Sequence, residues 1–145
     1  MKKDGFEFKP IKRRIRSATV PHVRTDAGRS LGERRDCTVR ALAIAAQIPY
    51  ADAHAALELA GRKHRHGVRM VDALDELQAL FKIEKVVPSY DTRTLGKFVK
   101  KFPTGRYLCR ISNHCFAVVD GVVHDLAILG SRVRITNVWL VSLKT

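Results

Sequence analysis

The chain is poor in cysteine, aromatic residues and acids, and each shortage narrows what it is. Three cysteines in 145 residues, an odd number with no Cys-x-x-Cys pair, argue against a disulfide framework and for a reducing compartment. Aromatic residues make up 7% of the chain, with one Trp, which leaves little for stacking on unpaired bases. No apolar run reaches the roughly 18 residues of a membrane span. The N-terminus is basic but has no apolar stretch of the signal-peptide kind. Internal repeats and low-complexity segments are missing too. The expectation is a soluble, cytoplasmic chain with no transmembrane segment and one domain. Its length suffices for a core without metal or disulfide support.

The scarcity of acids is the other side of a strong positive charge. Lys and Arg number 27 against 14 Asp and Glu, a formal net charge of +13 with a pI near 10.2. An anionic partner follows, nucleic acid before an anionic membrane surface. The charge is uneven: residues 1–40 carry +7 and the longer remainder +6. Lys12, Arg13, Arg14 and Arg16 form a compact basic cluster inside residues 1–29, which show no clear period and contain Pro21 and Gly28. Residues 1–29 read as a largely irregular basic arm. The cluster is either a solvated face or a nucleic-acid contact.

From Cys37 the apolar pattern becomes helical. Val39, Leu42, Ala43 and Ala46 share one face and Pro49 ends the run. A second helix is expected from about Tyr50 to Gly61 and a third carrying Val71, Leu74, Leu77, Leu80 and Phe81. The second half changes to strands: Ile83–Val87, then, after a short helix over Thr92–Lys101, Arg106–Ile111, Cys115–Val119, Val122–Leu126 and Val133–Val141. Asp120-Gly121 between two Val pairs signals a two-residue type I′ hairpin. Helices followed by an antiparallel sheet make an α+β domain over residues 30–145.

Two segments carry chemistry. Asp36-Cys37-Thr38-Val39-Arg40-Ala41-Leu42 places a thiol where a helix begins. Asn113-His114-Cys115-Phe116 opens a strand with an imidazole, and the hairpin returns to Asp125. A helix N-terminus and a neighbouring imidazolium both favour the thiolate, the reactive form of cysteine. A carboxylate beside the ring holds it in the useful tautomer. Cys109 and Cys115 fall in strands and are expected in the core. A zinc set from Cys109, Cys115, His114 and His124 would need ligands that strand alternation sends to opposite faces. No metal site and no cofactor is expected.

The order Cys on an early helix, His on a later strand and Asp or Asn on the next resembles the papain-like cysteine peptidase superfamily. Within it the chain is most similar to small microbial members such as the bacteriocin-processing peptidases. Those carry an Asp-Cys pair opening a helix, then a His followed by apolar residues and a downstream Asp. The likeness covers roughly residues 30–128. It implies a papain-like fold and a triad of Cys37 as nucleophile, His114 as general base and Asp125 as orienting acid. Asn137, shortly before Trp139, is the alternative third member. Small proteins of this pattern suggest a bacteriophage origin. Ovarian-tumour-type deubiquitinases also share the Asp…Cys…Arg-Ala-Leu stretch, but the context of their final His differs from His114-Cys115-Phe116.

One feature of the superfamily is missing. A Gln about six residues before the nucleophile usually donates to the oxyanion, and loss of one such donor costs about 10²–10³ in rate. Leu31 stands there in this chain. Ser30, Arg34 and Arg35 are the alternative donors, beside the Cys37 backbone N–H. Two functions therefore stand open. The first is a thiol hydrolase acting on an amide, peptide or isopeptide bond of a protein or peptide substrate. The second is an inactive or weak relative whose basic surface binds nucleic acid or an acidic host or virion protein.

Overall fold

The structure is a computed structural model that describes residues 20–25, 36–63, 70–86, 92–112, 114–125 and 128–142. In chain order its elements are β1 (His22–Arg24), α1 (Cys37–Ala46), α2 (Tyr50–Leu59), α3 (Met70–Leu80), β2 (Lys82–Val86), α4 (Leu95–Lys101), β3 (Arg106–Ile111), β4 (His114–Val119), β5 (Val122–Asp125) and β6 (Asn137–Ser142). The strands form one six-stranded sheet in the order β1-β5-β4-β3-β6-β2. The class is α+β, as expected.

Period-two alternation along the strands divides the core in two. Leu108, Cys115, Ala117, Trp139, Val141 and Ile83 pack with α1, α2 and α3. Their neighbours Tyr107, Cys109, Phe116, Val118, Val123 and Val138 pack with Leu95, Phe98 and Val99 of α4. The sheet is therefore covered on both faces, and its central strands are buried on both. An edge-to-face contact between Phe98 and Tyr107, with ring centroids 5.2 Å apart, anchors α4 on the second face.

Two expectations need correction. The sheet is not purely antiparallel. β1 pairs in parallel with β5, His22 lying opposite Val123 and Arg24 opposite Asp125. β1 is the ordered piece of the largely irregular arm, and Val20 just before it is buried in the second core. Three residues are too few to show a period, so only pairing to β5 defines them as a strand. The last strand is shorter than expected because residues 131–135 run against the start of α4. Leu95 N–H donates to Val133 O at 2.8 Å, and Ile135 N–H to Arg93 O at 2.8 Å.

The β4–β5 hairpin turns where the sequence signal placed it. Asp120 and Gly121 both take positive φ, 48° and 78°, as a type I′ turn requires. Asp120 N–H donates to Gly105 O at 2.8 Å, and Gly105 N–H donates to Asp120 Oδ1 at 2.9 Å, so the turn is tied to the entry of β3. A β-branched residue is poorly tolerated at positive φ. Gly121→Val should lower stability by about 1–2 kcal/mol, read as a lower denaturant midpoint at unchanged m-value.

Candidate active site

α1 enters the site end-on. Its first residue is Cys37 and its N-cap position is Asp36, yet the Asp36 side chain makes no capping hydrogen bond. Asp is among the best capping residues, so something else must hold its carboxylate. Arg40, one turn along, forms a buried ion pair with Asp36 Oδ1, and the Tyr50 hydroxyl of α2 donates to Asp36 Oδ2 at 2.8 Å. The carboxylate is thus held away from the first helical amides. Arg40 is the first residue whose N–H returns into the helix, to Asp36 O. The positive end of the helix is left facing the sulfur.

The imidazole comes from the first residue of β4. The hairpin pairs Val119 with Val122 and Ala117 with His124, and continuing that register sets Asp125 opposite Phe116. His114 and Asp125 are then diagonal neighbours on the same face, within reach of each other's side chains. His114 Nε2 lies 2.6 Å from Asp125 Oδ2. Asp125 is 2% exposed, and its backbone carbonyl accepts from His22 Nε2 at 3.0 Å and from Thr25 N–H at 3.1 Å. The parallel edge strand therefore fixes the residue that fixes the histidine. His22 carried no motif in the sequence, and only the β1–β5 pairing could have drawn attention to it. The His114 ring also stacks on Phe116, at 6.0 Å between centroids.

Thiol and imidazole meet at the end of the strands. Burial alone pushes the Cys37 thiol up. Hydrogen bonds from His114 and from the Cys115 backbone, the His114 charge and a Thr38 hydrogen bond outweigh it, and the thiol lies below its ordinary 9.0. His114 is pushed up to about 9, first by Asp125 and then by Cys37, against a smaller opposing effect of burial. With Nε2 committed to Asp125, Nδ1 is the ring nitrogen left for the sulfur. The two shifts favour one arrangement, thiolate beside imidazolium.

The remaining thiols behave otherwise. Cys109 and Cys115 are buried in the two cores, as expected, and burial raises both. Among the described residues no group of three His, Cys, Asp or Glu side chains is placed to hold a metal ion. Asn137, the alternative third member, lies on β6 opposite Arg110, whose Nη1 donates to Asn137 Oδ1 at 3.2 Å; β3 stands between it and the strand of His114, whose carboxylate partner is Asp125. Ser30, Arg34 and Arg35, the candidate oxyanion donors, lie outside the described residues, as do Lys12, Arg13, Arg14 and Arg16. No protein-family model matches the chain, and neither a curated protein nor a solved structure matches it.

Two expected outcomes follow from this geometry. Thiolate absorbance titrated against pH should place Cys37 below 9.0 in the wild type. His114→Ala should move the transition upward, because it removes both the hydrogen bond and the charge. Arg40→Met leaves the Asp36 carboxylate buried without its cation and should cost about 3–5 kcal/mol by chemical denaturation. Adding Asp36→Asn should recover most of that loss.

Proposed function

We propose that the chain is a papain-like thiol hydrolase acting on amide, peptide or isopeptide bonds, with Cys37, His114 and Asp125 as its triad. The observation that carries this reading is the chain of contacts from Asp125 to His114 to Cys37, with the thiol lowered and the imidazole raised. A merely structural cysteine on an alanine-rich helix needs neither partner. Cys109 and Cys115, which lack such partners, shift the opposite way.

The Cys37 thiolate attacks the substrate carbonyl carbon, and its electron pair forms the C–S bond while the carbonyl π pair moves to oxygen. The Cys37 backbone N–H and the uncapped helix end face the developing oxyanion. His114 gives its Nδ1 proton to the leaving amine as the C–N bond breaks, which leaves a thioester. Water then adds to the thioester with His114 as base. The carbonyl re-forms, the C–S bond breaks, the acid departs, and Cys37 is left as thiolate beside His114, which keeps the proton it took from water. Asp125 holds the ring throughout and stabilises its charged form.

The pH dependence follows from the two groups. As pH falls through the lowered Cys37 value, the nucleophile is protonated and the rate drops. As pH rises through about 9, His114 loses the proton that the leaving amine needs. The profile of kcat/KM should therefore be a bell whose alkaline limb lies near 9 and belongs to the coupled pair.

The test is a peptide library digested by the protein and read by mass spectrometry for new termini. Wild type should generate them, Cys37→Ala should not, and Asp125→Asn should be slower than wild type yet above Cys37→Ala. Equal yields from wild type and Cys37→Ala would end the enzyme reading. Iodoacetamide at pH 6 should label Cys37 ahead of Cys109 and Cys115.

A further inference from the structure

The second face of the sheet carries a feature that the hydrolase chemistry does not use. From residue 92 to the C-terminus the chain contains nine Lys and Arg but only two acids, Asp120 and Asp125. Asp125 is buried on His114, and the Asp120 carboxylate accepts the Gly105 amide. Asp91, the preceding residue, lies outside the described residues.

The fold gathers much of this charge in one place. On α4, Lys97, Lys100 and Lys101 stand at i, i+3 and i+4, the spacing of one helix face, and all three are exposed. Leu95, Phe98 and Val99 fill the opposite face, buried in the second core. The segment 131–135 then lies along the start of α4. Gly96 N–H donates to Ser131 O at 2.9 Å, and Thr94 bridges Arg134. This brings exposed Arg132 and Arg134 beside exposed Arg93 and the lysines. Gly96 permits the approach, because a Cβ there would meet the Ser131 Cβ at 2.7 Å. Six exposed cations thus stand on α4 and on the segment held against its start.

We infer that this α4 surface binds the phosphate backbone of double-stranded nucleic acid. The composition of the patch selects the partner. The apolar residues of α4 point inward, and among the described residues Ile128 is the one exposed large apolar side chain near the patch in the chain, too little to seat it in a membrane. Among the described residues it has no exposed aromatic anchor of the kind that protein interfaces centre on, and none for stacking on unpaired bases. A mixed Lys and Arg surface matches a polyanion read by charge, with no register and no sequence preference.

The test is fluorescence anisotropy of a labelled duplex DNA of arbitrary sequence, titrated with the full-length protein at several salt concentrations. The variant Lys97→Gln, Lys100→Gln, Lys101→Gln, Arg134→Gln should bind at least about tenfold more weakly. Its slope of log affinity against log salt should be shallower by up to about 3–4 units, near 0.9 per phosphate contact. The matched variant Lys12→Gln, Arg13→Gln, Arg14→Gln, Arg16→Gln removes the same charge and should keep the larger part of the slope. Cys37→Ala should bind as wild type does. The inference is overturned if wild type fails to bind duplex at low salt or if the two quadruple variants lose equally. It is also overturned if phosphatidylserine vesicles or polyglutamate compete as well as duplex does. Unchanged circular dichroism and denaturant midpoint in the α4 variant separate lost contacts from lost fold.

Discussion

Asp120 and Gly121 turn the chain at positive φ, and the register that leaves this turn sets the distance between an imidazole and a carboxylate. A slip of one residue between β4 and β5 would send either His114 or Asp125 to the other face of the sheet. The buried alternation of β4 forbids that slip. Cys115 and Ala117 fill one core, Phe116 and Val118 the other, and exchanging them would put bulk where small residues now meet α1. Packing at the centre of the sheet is therefore what fixes a 2.6 Å hydrogen bond at its end. β1 adds a second lock, since the Asp125 carbonyl receives His22 and Thr25.

α1 shows the same economy with charge. A helix of ten residues presents a partial positive charge at one end and a partial negative charge at the other. At the C-terminal end Arg106 of β3 donates to Ala45 O at 2.9 Å and to Ile44 O at 2.6 Å, which answers the exposed carbonyls. At the N-terminal end the natural answer, the Asp36 carboxylate, is taken up by Arg40 and Tyr50. One end of the helix is neutralised and the other kept open. The open end is where Cys37 stands. Three cysteines in one chain thus have three fates set by surroundings alone, and of the three Cys37 has an imidazole and a helix end beside it.

Local chemistry made part of this legible in the sequence. Asp120-Gly121 needs only its two neighbouring Val pairs to declare a turn, and the apolar spacing after Cys37 needs only one helix. Burial of Cys109 and Cys115 follows from strand periodicity. The nearness of Asp125 to His114 follows from the hairpin alone, and their side chains meet at 2.6 Å. What stayed hidden depends on contacts distant in sequence. β1 exists as a strand only because β5 lies beside it, 103 residues from His22 to Asp125. Tyr50 reaches Asp36 only after α2 has packed on α1. Leu80, placed on the apolar face of α3 by its spacing, is 48% exposed, because that face runs past the edge of the core there. The pairing of residues 93–96 with 131–135, which sets Arg93, Arg132 and Arg134 along the start of α4, also has no signature in either segment alone.

The site draws on both faces of the sheet. Cys37 opens α1, which packs on the face of Cys115 and Ala117. His114 and Asp125 share the face of Phe116, the one that α4 covers. The influences on Cys37 are all local: burial, His114, the Cys115 backbone and Thr38. The sulfur therefore depends on both layers at once: the helix that carries it lies on one face, and the imidazole that lowers its pKa stands on a strand residue of the other.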